Sequence, residues 1–227
     1  MRIATAGGEQ IVSAAFAIDA GGRAAPLARQ IGARRRVSDR LVCSWVHGFA
    51  CPMRRGSGFT VVEAVEDGWW YTAPLPDGSR VLAFLTDADL PAARIAHNTA
   101  CLIDSTVTAP EIRAILRESE FVPISGGFTA AHSSVLKPCG ASAWLAVGDA
   151  STSFDPLSSQ GLLHALFSGV AVAEAAHSCL AGDSDAVPRY RRLMNSIYQA
   201  YRRRLDFYSS ETRWPYAPFW QRRRGLH

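Results

Sequence analysis

The segment from Trp144 to Leu166, WLAVGDASTSFDPLSSQGLLHAL, constrains the fold more than any other part of the sequence. It overlaps the apolar run Ala143–Val147, which is typical of a strand buried on both faces. Gly148 and Asp149 end this run, as a buried strand often ends in a functional loop. The apolar stretch from Gly161 to about Leu180 is then long enough for a helix. A strand, a loop and a helix in this order predict an α/β architecture.

The junction of this strand and helix carries the groups that a particular kind of ligand needs. Gly148 allows a ligand to approach the backbone closely, and Asp149 supplies a carboxylate that can accept hydrogen bonds from hydroxyl groups. The helix beginning at Gly161 offers free backbone amides and the positive end of its dipole to an electron-rich carbonyl. A flavin has both kinds of group. An Asp-capped turn that binds no ligand is the alternative interpretation.

The motif Gly148-Asp149-Ala150, with Asp155-Pro156 and Ser159-Gln160-Gly161-Leu162 after it, resembles the second flavin-binding motif of FAD-dependent monooxygenases and flavin-dependent halogenases. The resemblance implies FAD as cofactor. It implies that Asp149, after Gly148, binds ribityl or ribose hydroxyls, and that Pro156 lies beside the isoalloxazine. The amides that would face the flavin pyrimidine oxygen are those of Gly161, Leu162 and Leu163.

Three further segments resemble the same superfamily. The segment Phe16–Arg23 is similar to its DA-x-GR motif, Gly68–Leu75 to the tryptophan-rich strand of its tryptophan-halogenase-like branch, and Trp214–Arg223 to the C-terminal tail of that branch. The resemblance makes the aromatic residues of the second segment candidates to line the substrate side, although packing in the core is an equal or better explanation. These candidates are Trp69, Trp70 and Tyr71.

The sequence also departs from the family at two places. The family begins with a G-x-G-x-x-G strand–turn–helix that holds the FAD pyrophosphate, and Gly7-Gly8 does not fit it. We therefore expect this chain to be the C-terminal part of a longer flavoprotein, supplying the flavin-ring half of the site. Tryptophan halogenases also carry a glutamate in the halide loop, where this sequence has Ser158, and a hydroxyl cannot replace a carboxylate as acid or base. Halogenation is therefore disfavoured.

The rest of the chain predicts an antiparallel sheet and several helices. Segments rich in β-branched and aromatic residues, separated by turns that include 55–58, predict about four strands: Leu41–Val46, Phe59–Val65, Trp69–Ala73 and Arg80–Thr86. Helices are predicted over Ala24–Ile31, Pro91–Cys101, Ala109–Ser119 and about Val187–Ser209. The predicted fold class is α/β (α+β), a partial Rossmann-type FAD-binding domain with an antiparallel substrate-binding sheet and C-terminal helices.

This organisation predicts four regions along the chain. They are a remnant of an FAD-binding domain (1–40), an antiparallel substrate domain with helices (41–135), the flavin-binding GD-motif strand and helix (136–185), and a C-terminal helix with an aromatic, basic tail (186–227). The polar stretch 32–40, which carries Arg34, Arg35, Arg36 and Arg40, is assigned to neither a helix nor a strand. The apolar stretch after Gly161 is expected to be a buried helix rather than a membrane span, because His164, Glu174 and His177 interrupt it.

Composition narrows the function classes. Five scattered cysteines without a CxxC pair, and no signal peptide, favour a cytoplasmic protein with reduced thiols. The six histidines lack ligand spacing, so we expect no metal; His164, in the first turn of the flavin-facing helix, is explained more simply by packing. The arginines near the C-terminus are not accompanied by a motif that recognises nucleic acid. A solvent-exposed helix face explains their clustering better than binding of nucleic acid does. A docking surface for an acidic partner is somewhat more plausible than nucleic acid.

Together these features predict an enzyme, an FAD-dependent oxidoreductase. The resemblance implies reduction of FAD, reaction with O2 and monooxygenase-type oxidation of an aromatic substrate, either a small molecule or a side chain of a partner protein. No catalytic residue is assigned. A missing N-terminal segment of the flavoprotein or a flavin reductase is a further expected partner. We expect no interaction with a membrane. The alternatives are a non-catalytic or vestigial fragment that acts at most as a binding module and, third, a flavin-dependent halogenase.

Overall fold

The computed structural model of the 227-residue chain describes residues 2–5, 7–51, 58–95, 98–210 and 213–224. It divides into two compact units: Met1–Val37 with Ser134–Tyr201, and Ser38–Ser133 with Arg202–His227. The first unit thus combines the beginning of the chain with the segment that carries the GD motif. The turn predicted at 55–57, together with His97 and His227, lies outside the described residues.

The chain alternates short strands with helices. Strands β1 to β13 are Arg2–Thr5, Gly8–Ile11, Ala17–Asp19, Arg34–Val37, Leu41–Phe49, Val61–Val65, Gly68–Pro74, Ser79–Asp87, Val122–Ala130, Ser134–Lys137, Gly140–Ala141, Trp144–Ala146 and Thr152–Ser153. Helices α1 to α7 are Pro26–Gln30, Pro91–Ile95, Thr99–Asp104, Pro110–Glu118, Gly161–Leu180, Ala186–Ser210 and Pro218–Gln221. Short 3₁₀ turns connect several of them.

The first unit is built on two small three-stranded sheets. In one, β12 pairs with β11 on one side and runs parallel to β3 on the other; in the second, β10 lies between β13 and β4. Helices α5 and α6 pack on these strands through a core that includes Leu136, Leu145, Val172, Tyr190 and Met194. The Tyr190 hydroxyl donates to the Ala146 carbonyl at 2.7 Å. This packing fixes the end of β12 relative to the beginning of α5.

The second unit is a five-stranded antiparallel sheet in the order β6-β7-β8-β5-β9. Helices α3 and α4 cover one face, where Leu102, Ile112 and Leu116 share a core with sheet residues. Helix α4 begins with Pro110 at its first turn, and Glu63 on β6 accepts a hydrogen bond from the amide of Ile112 at 2.9 Å. A carboxylate from the sheet therefore caps the helix that covers it. The four predicted strands all form, and β9 adds the fifth.

Three local predictions need correction. The polar stretch 32–40 contains a strand that was not predicted, because Arg34–Val37 forms β4 and pairs with β10. The helix predicted over Pro91–Cys101 is divided, because the side chain of Asn98 caps a new helix by accepting from the amides of residues 100 and 101. Helix α5 has the predicted length but is not buried all round.

Helix α5 leaves a large apolar surface in contact with solvent. The exposed residues lie on its first three turns: Leu162, Leu163, Leu166, Phe167 and Val170, which are between 48% and 75% exposed. Its buried side consists mainly of small side chains, with Val172, Ala175 and Ala176 among them. Among the described residues, this is the one helix whose length and composition would allow it to cross a membrane, a test that core helices of soluble proteins also pass.

Candidate functional site

The end of β12 and the beginning of α5 form the candidate site. After Ala146 the chain turns through a 3₁₀ segment, Gly148–Ala150, in which Gly148 has a φ of +56°. This left-handed conformation strains residues with a Cβ and favours glycine. The Gly148 amide donates to the Ser168 hydroxyl at 3.0 Å, so the loop is anchored directly to α5. The sequence therefore requires glycine here for the turn itself.

The first turn of α5 leaves its backbone donors free of intrahelical partners. The N-cap residue, Gln160, makes no side-chain cap hydrogen bond, and the first intrahelical bond runs from the His164 amide to the Gln160 carbonyl at 2.8 Å. The preceding amides belong to Gly161, Leu162 and Leu163, and these residues are exposed. The mouth of the helix is therefore open and positive, as a site for an electron-rich group requires.

Asp149 forms an ion pair that sequence reasoning missed. Arg23 Nη1 lies 2.8 Å from Asp149 Oδ2, and Arg23 Nη2 donates to the Phe154 carbonyl at 3.1 Å. The side chain of Asp149 nevertheless remains 31% exposed. Its carboxylate is therefore oriented by Arg23 while still accessible to a hydroxyl donor. The signal in the sequence was the DA-x-GR segment, whose arginine is Arg23.

The aspartate of the same segment has a structural role. Asp19 ends β3, is 3% exposed, and accepts hydrogen bonds from the Gly21 amide at 2.9 Å and the Ala28 amide at 2.8 Å. Ala28 lies in the first turn of α1, so Asp19 satisfies donors that the helix leaves unpaired. Because β3 runs parallel to β12, this loop and the Gly148 loop leave the same edge of the sheet.

Arg35 stabilises the loop that follows β12. It donates to the Ser134 hydroxyl and to the Ala150 carbonyl, both at 2.7 Å, and so ties β4 and β10 to the loop after β12. Burial lowers the pKa of Arg35, and the negative charge of Asp149 opposes that shift. An arginine remains charged under such a shift, so Arg35 places a permanent positive charge next to the loop that contains Asp149.

The segment between the loop and α5 is rigidly held. Asp155 caps a short 3₁₀ turn by accepting from the Leu157 amide at 2.9 Å, and its own amide donates to the Tyr201 hydroxyl at 2.9 Å. Pro156 occupies the first position of that turn and is exposed. The Ser158 hydroxyl donates to the Asp155 carbonyl at 2.8 Å, so it serves the turn itself.

His164 is buried directly behind the open amides. Its side chain is 4% exposed, its ring centroid lies 4.8 Å from that of Phe154, and no described residue forms a hydrogen bond of acceptable geometry with either ring nitrogen. Burial lowers the pKa of His164, with the charge of Asp149 acting in the opposite direction. A neutral imidazole at physiological pH is the consequence. Packing, the simpler of the two explanations, agrees with this environment.

This burial predicts a specific acid sensitivity. The unfolded state of His164 takes up a proton at higher pH than the folded state, so stability is lost as the pH falls below the ordinary histidine value. We expect His164→Leu to reduce the loss of unfolding free energy between pH 7.5 and 5.5, measured by urea denaturation. His177→Leu, at an exposed position of the same helix, is the control. Equal pH slopes for the two variants would contradict the prediction.

The three aromatic candidates for the substrate side do not share one face. Trp70 and Phe84 are paired across β7 and β8, and Trp70 belongs to the core beneath the helices, with its ring 4.6 Å from that of Phe84. Trp69 and Tyr71 point to the opposite face, because strand residues alternate. Trp70 and Phe84 also border a cavity of about 330 Å³ with Trp214 on its wall. Their role toward a substrate stays a prediction.

Metal binding has no support in the described part of the chain. No group of three His, Cys, Asp or Glu side chains there could hold a metal ion. The expectation of a metal-free site stays a prediction.

We compared the chain with known proteins by sequence and by structure. No protein-family model matches the chain. The sequence is similar to LodB of Marinomonas mediterranea, a protein proposed to be an FAD-dependent oxidoreductase, with 33% identity over 224 residues, 96% of this chain and 58% of LodB.

Two solved structures share the fold. CmlS, a flavin-dependent halogenase, gives a TM-score of 0.84 with 26% identity over 98% of this chain and 42% of its own. QhpG, a peptidyl tryptophan dihydroxylase essential for tryptophylquinone cofactor biogenesis, gives 0.72 with 24% identity over 98% of this chain and 51% of its own. The chain thus spans about half the length of its relatives. The predicted fold class is confirmed: a mixed α/β fold with antiparallel sheets and C-terminal helices, like that of the flavin-dependent halogenases.

Proposed function

We propose that this chain is the flavin-ring-binding part of an FAD-dependent oxidoreductase. The observation that carries the proposal is the open first turn of α5, where the amides of Gly161, Leu162 and Leu163 lack intrahelical partners. Asp149, still accessible, lies in the neighbouring loop. Donors for a carbonyl and an acceptor for hydroxyls are the two features that a flavin and its ribityl chain require. Similarity to LodB and CmlS supports the same cofactor.

The residues of the chain would divide the binding between them. The three amides would bind the pyrimidine oxygen of the flavin, and the helix dipole would stabilise negative charge there. Asp149, held by Arg23, would accept from a ribityl or ribose hydroxyl, with Gly148 keeping the backbone free of a side chain. Pro156 would lie beside the isoalloxazine. The buried neutral His164 closes the back of this turn to water.

FAD, when bound, supplies the reduction and the oxygen chemistry of such enzymes. We propose a monooxygenase-type oxidation of an aromatic substrate, a small molecule or a side chain of a partner protein. The name of QhpG, a peptidyl tryptophan dihydroxylase, supports the second kind of substrate. The Ser158 hydroxyl, engaged with the Asp155 carbonyl, offers no acid or base for halide activation. Halogenation therefore remains the less favoured reaction.

Two further proposals concern surroundings and partners. The exposed apolar side of α5 beside the site supports contact with a further polypeptide segment, and this chain spans only 58% of LodB. A flavin reductase is the alternative partner. All five cysteines are free, which supports a cytoplasmic location.

Gly161→Asp tests the flavin site with little risk to the fold. Apart from the neighbouring residues and the backbone of the helix itself, no described atom lies within 4 Å of a Cβ added at Gly161, and a carboxylate in a first helical turn is favourable for the helix. The same carboxylate would engage the free amides and repel the flavin oxygen. We expect binding of riboflavin and FAD, followed by quenching of flavin fluorescence, to weaken roughly tenfold or more.

Gly169→Asp is the matched control. It introduces the same side chain in the same helix, where a Cβ also meets no described atom within 4 Å beyond the neighbouring residues and the helix backbone, and we expect flavin binding to be unchanged. Riboflavin should compete with FAD, because the ring is the part that these residues would hold. Absence of saturable flavin binding, or equal effects of the two variants, would contradict the proposed function and favour the non-catalytic alternative.

A further inference from the structure

A basic groove lies between the β10–β11 strands and helix α6 of the first unit. Its volume is about 770 Å³, within the range of ligand-binding clefts. The strand side carries Lys137, and the helix side carries Arg191 and Arg192, all three exposed. The floor is apolar and includes Val135, Leu136 and Met194.

Most of the positive side chains around this groove have no negatively charged partner among the described residues. Lys137, the one lysine of the sequence, lies directly opposite Arg34 in the antiparallel pair of β10 and β4. Like charges placed directly across two strands destabilise a sheet. Among the described residues, Lys137, Arg34 and Arg191 have no carboxylate within ion-pair distance, and Arg192 shares Asp185 at 3.3 Å with another arginine. A bound anion would relieve this repulsion.

The floor of the groove supplies no negative charge either. Burial raises the pKa of the Cys139 thiol, and the nearby positive charge of Arg191 only partly opposes the shift. Cys139 is therefore a neutral thiol at physiological pH. The groove combines a cationic rim with an uncharged, apolar floor.

We propose that this basic groove binds an acidic segment of a partner polypeptide. Carboxylate side chains would pair with the arginines and the lysine, while aliphatic parts of the segment would pack on the floor. Single-stranded nucleic acid is a poorer fit, because its recognition uses aromatic side chains for base stacking and none of the described lining residues is aromatic. The proposal is independent of whether the chain binds flavin.

The test is fluorescence anisotropy with a labelled peptide of eight glutamates, titrated with the full chain at low and moderate salt. Arg191→Glu combined with Arg192→Glu reverses the helix side of the groove. We expect this double variant to weaken peptide binding about tenfold or more, because attraction is replaced by repulsion at two positions. Lys137→Glu, on the strand side, should weaken it in the same direction.

Arg203→Glu combined with Arg204→Glu is the matched control. It makes the same change of net charge on exposed residues of the same helix, outside the groove lining, and should leave binding within about twofold. Equal effects of the two double variants would overturn the proposal as general attraction between opposite charges. Tighter binding of an eight-nucleotide oligo-dT, or full displacement of the peptide by inorganic phosphate at equal charge, would overturn the polypeptide assignment. Circular dichroism confirms that each variant is folded.

Discussion

Replacing Asp87 with alanine is expected to lower the free energy of unfolding by about 3–5 kcal/mol, because it removes a buried carboxylate that pairs with a buried arginine. Arg223 Nη2 lies 2.8 Å from Asp87 Oδ1, and the two side chains are 3% and 2% exposed. The Arg223 guanidinium also stacks 3.5 Å from the centre of the Phe219 ring and donates to the Phe219 carbonyl. Urea denaturation followed by tryptophan fluorescence measures the loss.

The control is a pair of the same chemistry at the surface. Arg40 lies 2.7 Å from Asp89, but its side chain is 69% exposed, so Arg40→Ala should cost less than about 1 kcal/mol. Arg223→Met removes the cation and leaves Asp87 with Arg222, at 3.1 Å and partly exposed. We expect an intermediate loss for this variant. A loss below 1 kcal/mol for Asp87→Ala would show that the pair does not hold the C-terminal tail on the second unit.

This ion pair marks a limit of sequence interpretation. The runs of arginines in the C-terminal part of the chain are expected to be exposed to solvent. Arg223, however, is among the most buried charged residues of the protein. Its partner lies 136 positions away, and no local pattern announces a pairing at that separation. Trp220, three residues before Arg223 in the same tail, donates from its indole nitrogen to the Val65 carbonyl. Aromatic and proline residues in the tail were the available signal for burial, but they do not identify a partner.

Predictions from local signals succeeded at the candidate site. The strand before Gly148 and the start of α5 at Gly161 follow from the apolar pattern, and both are present as expected. What local signals could not supply are the long-range contacts of the site. Arg23 reaches Asp149 across 126 positions. The flavin contacts of the site residues stay predictions until the binding experiment is done.

In the sheets, too, pairings between neighbouring segments could be predicted, whereas pairings between distant segments could not. Hairpins joined by short turns, such as β6–β7 and β7–β8, were predictable because their pairing is local. Strands β9 and β4 form through distant partners, β5 and β10. For β4, three consecutive arginines do not indicate a strand, but alternation along the strand directs Arg35 inward to Ser134 and Ala150. The exposure of α5 was equally unpredictable, because an apolar helix with few interruptions resembles a core helix.

Replacing Trp70 with alanine is expected to lower the free energy of unfolding by about 3–5 kcal/mol, as for other large buried aromatic residues. Trp70 is 1% exposed and packs with Phe84, Leu82 and Ile112 in the core of the second unit. Its indole nitrogen has no hydrogen-bond partner among the residues that the structure describes. Trp70→Phe removes that unpaired donor while keeping an aromatic ring, so we expect it to cost clearly less than alanine.

Tyr71→Phe is the comparison that separates packing from substrate contact. Tyr71 lies on the opposite face of the sheet and is only partly buried, so loss of its hydroxyl should change stability by less than about 1 kcal/mol. If Trp70 is a core residue, unfolding free energy falls in Trp70→Ala and is nearly preserved in Tyr71→Phe. If Trp70 instead lines a substrate site, Trp70→Ala would retain stability and lose quenching of tryptophan fluorescence by added aromatic ligands. A stable Trp70→Ala protein would therefore reject packing as the role of Trp70 and restore the substrate-side hypothesis.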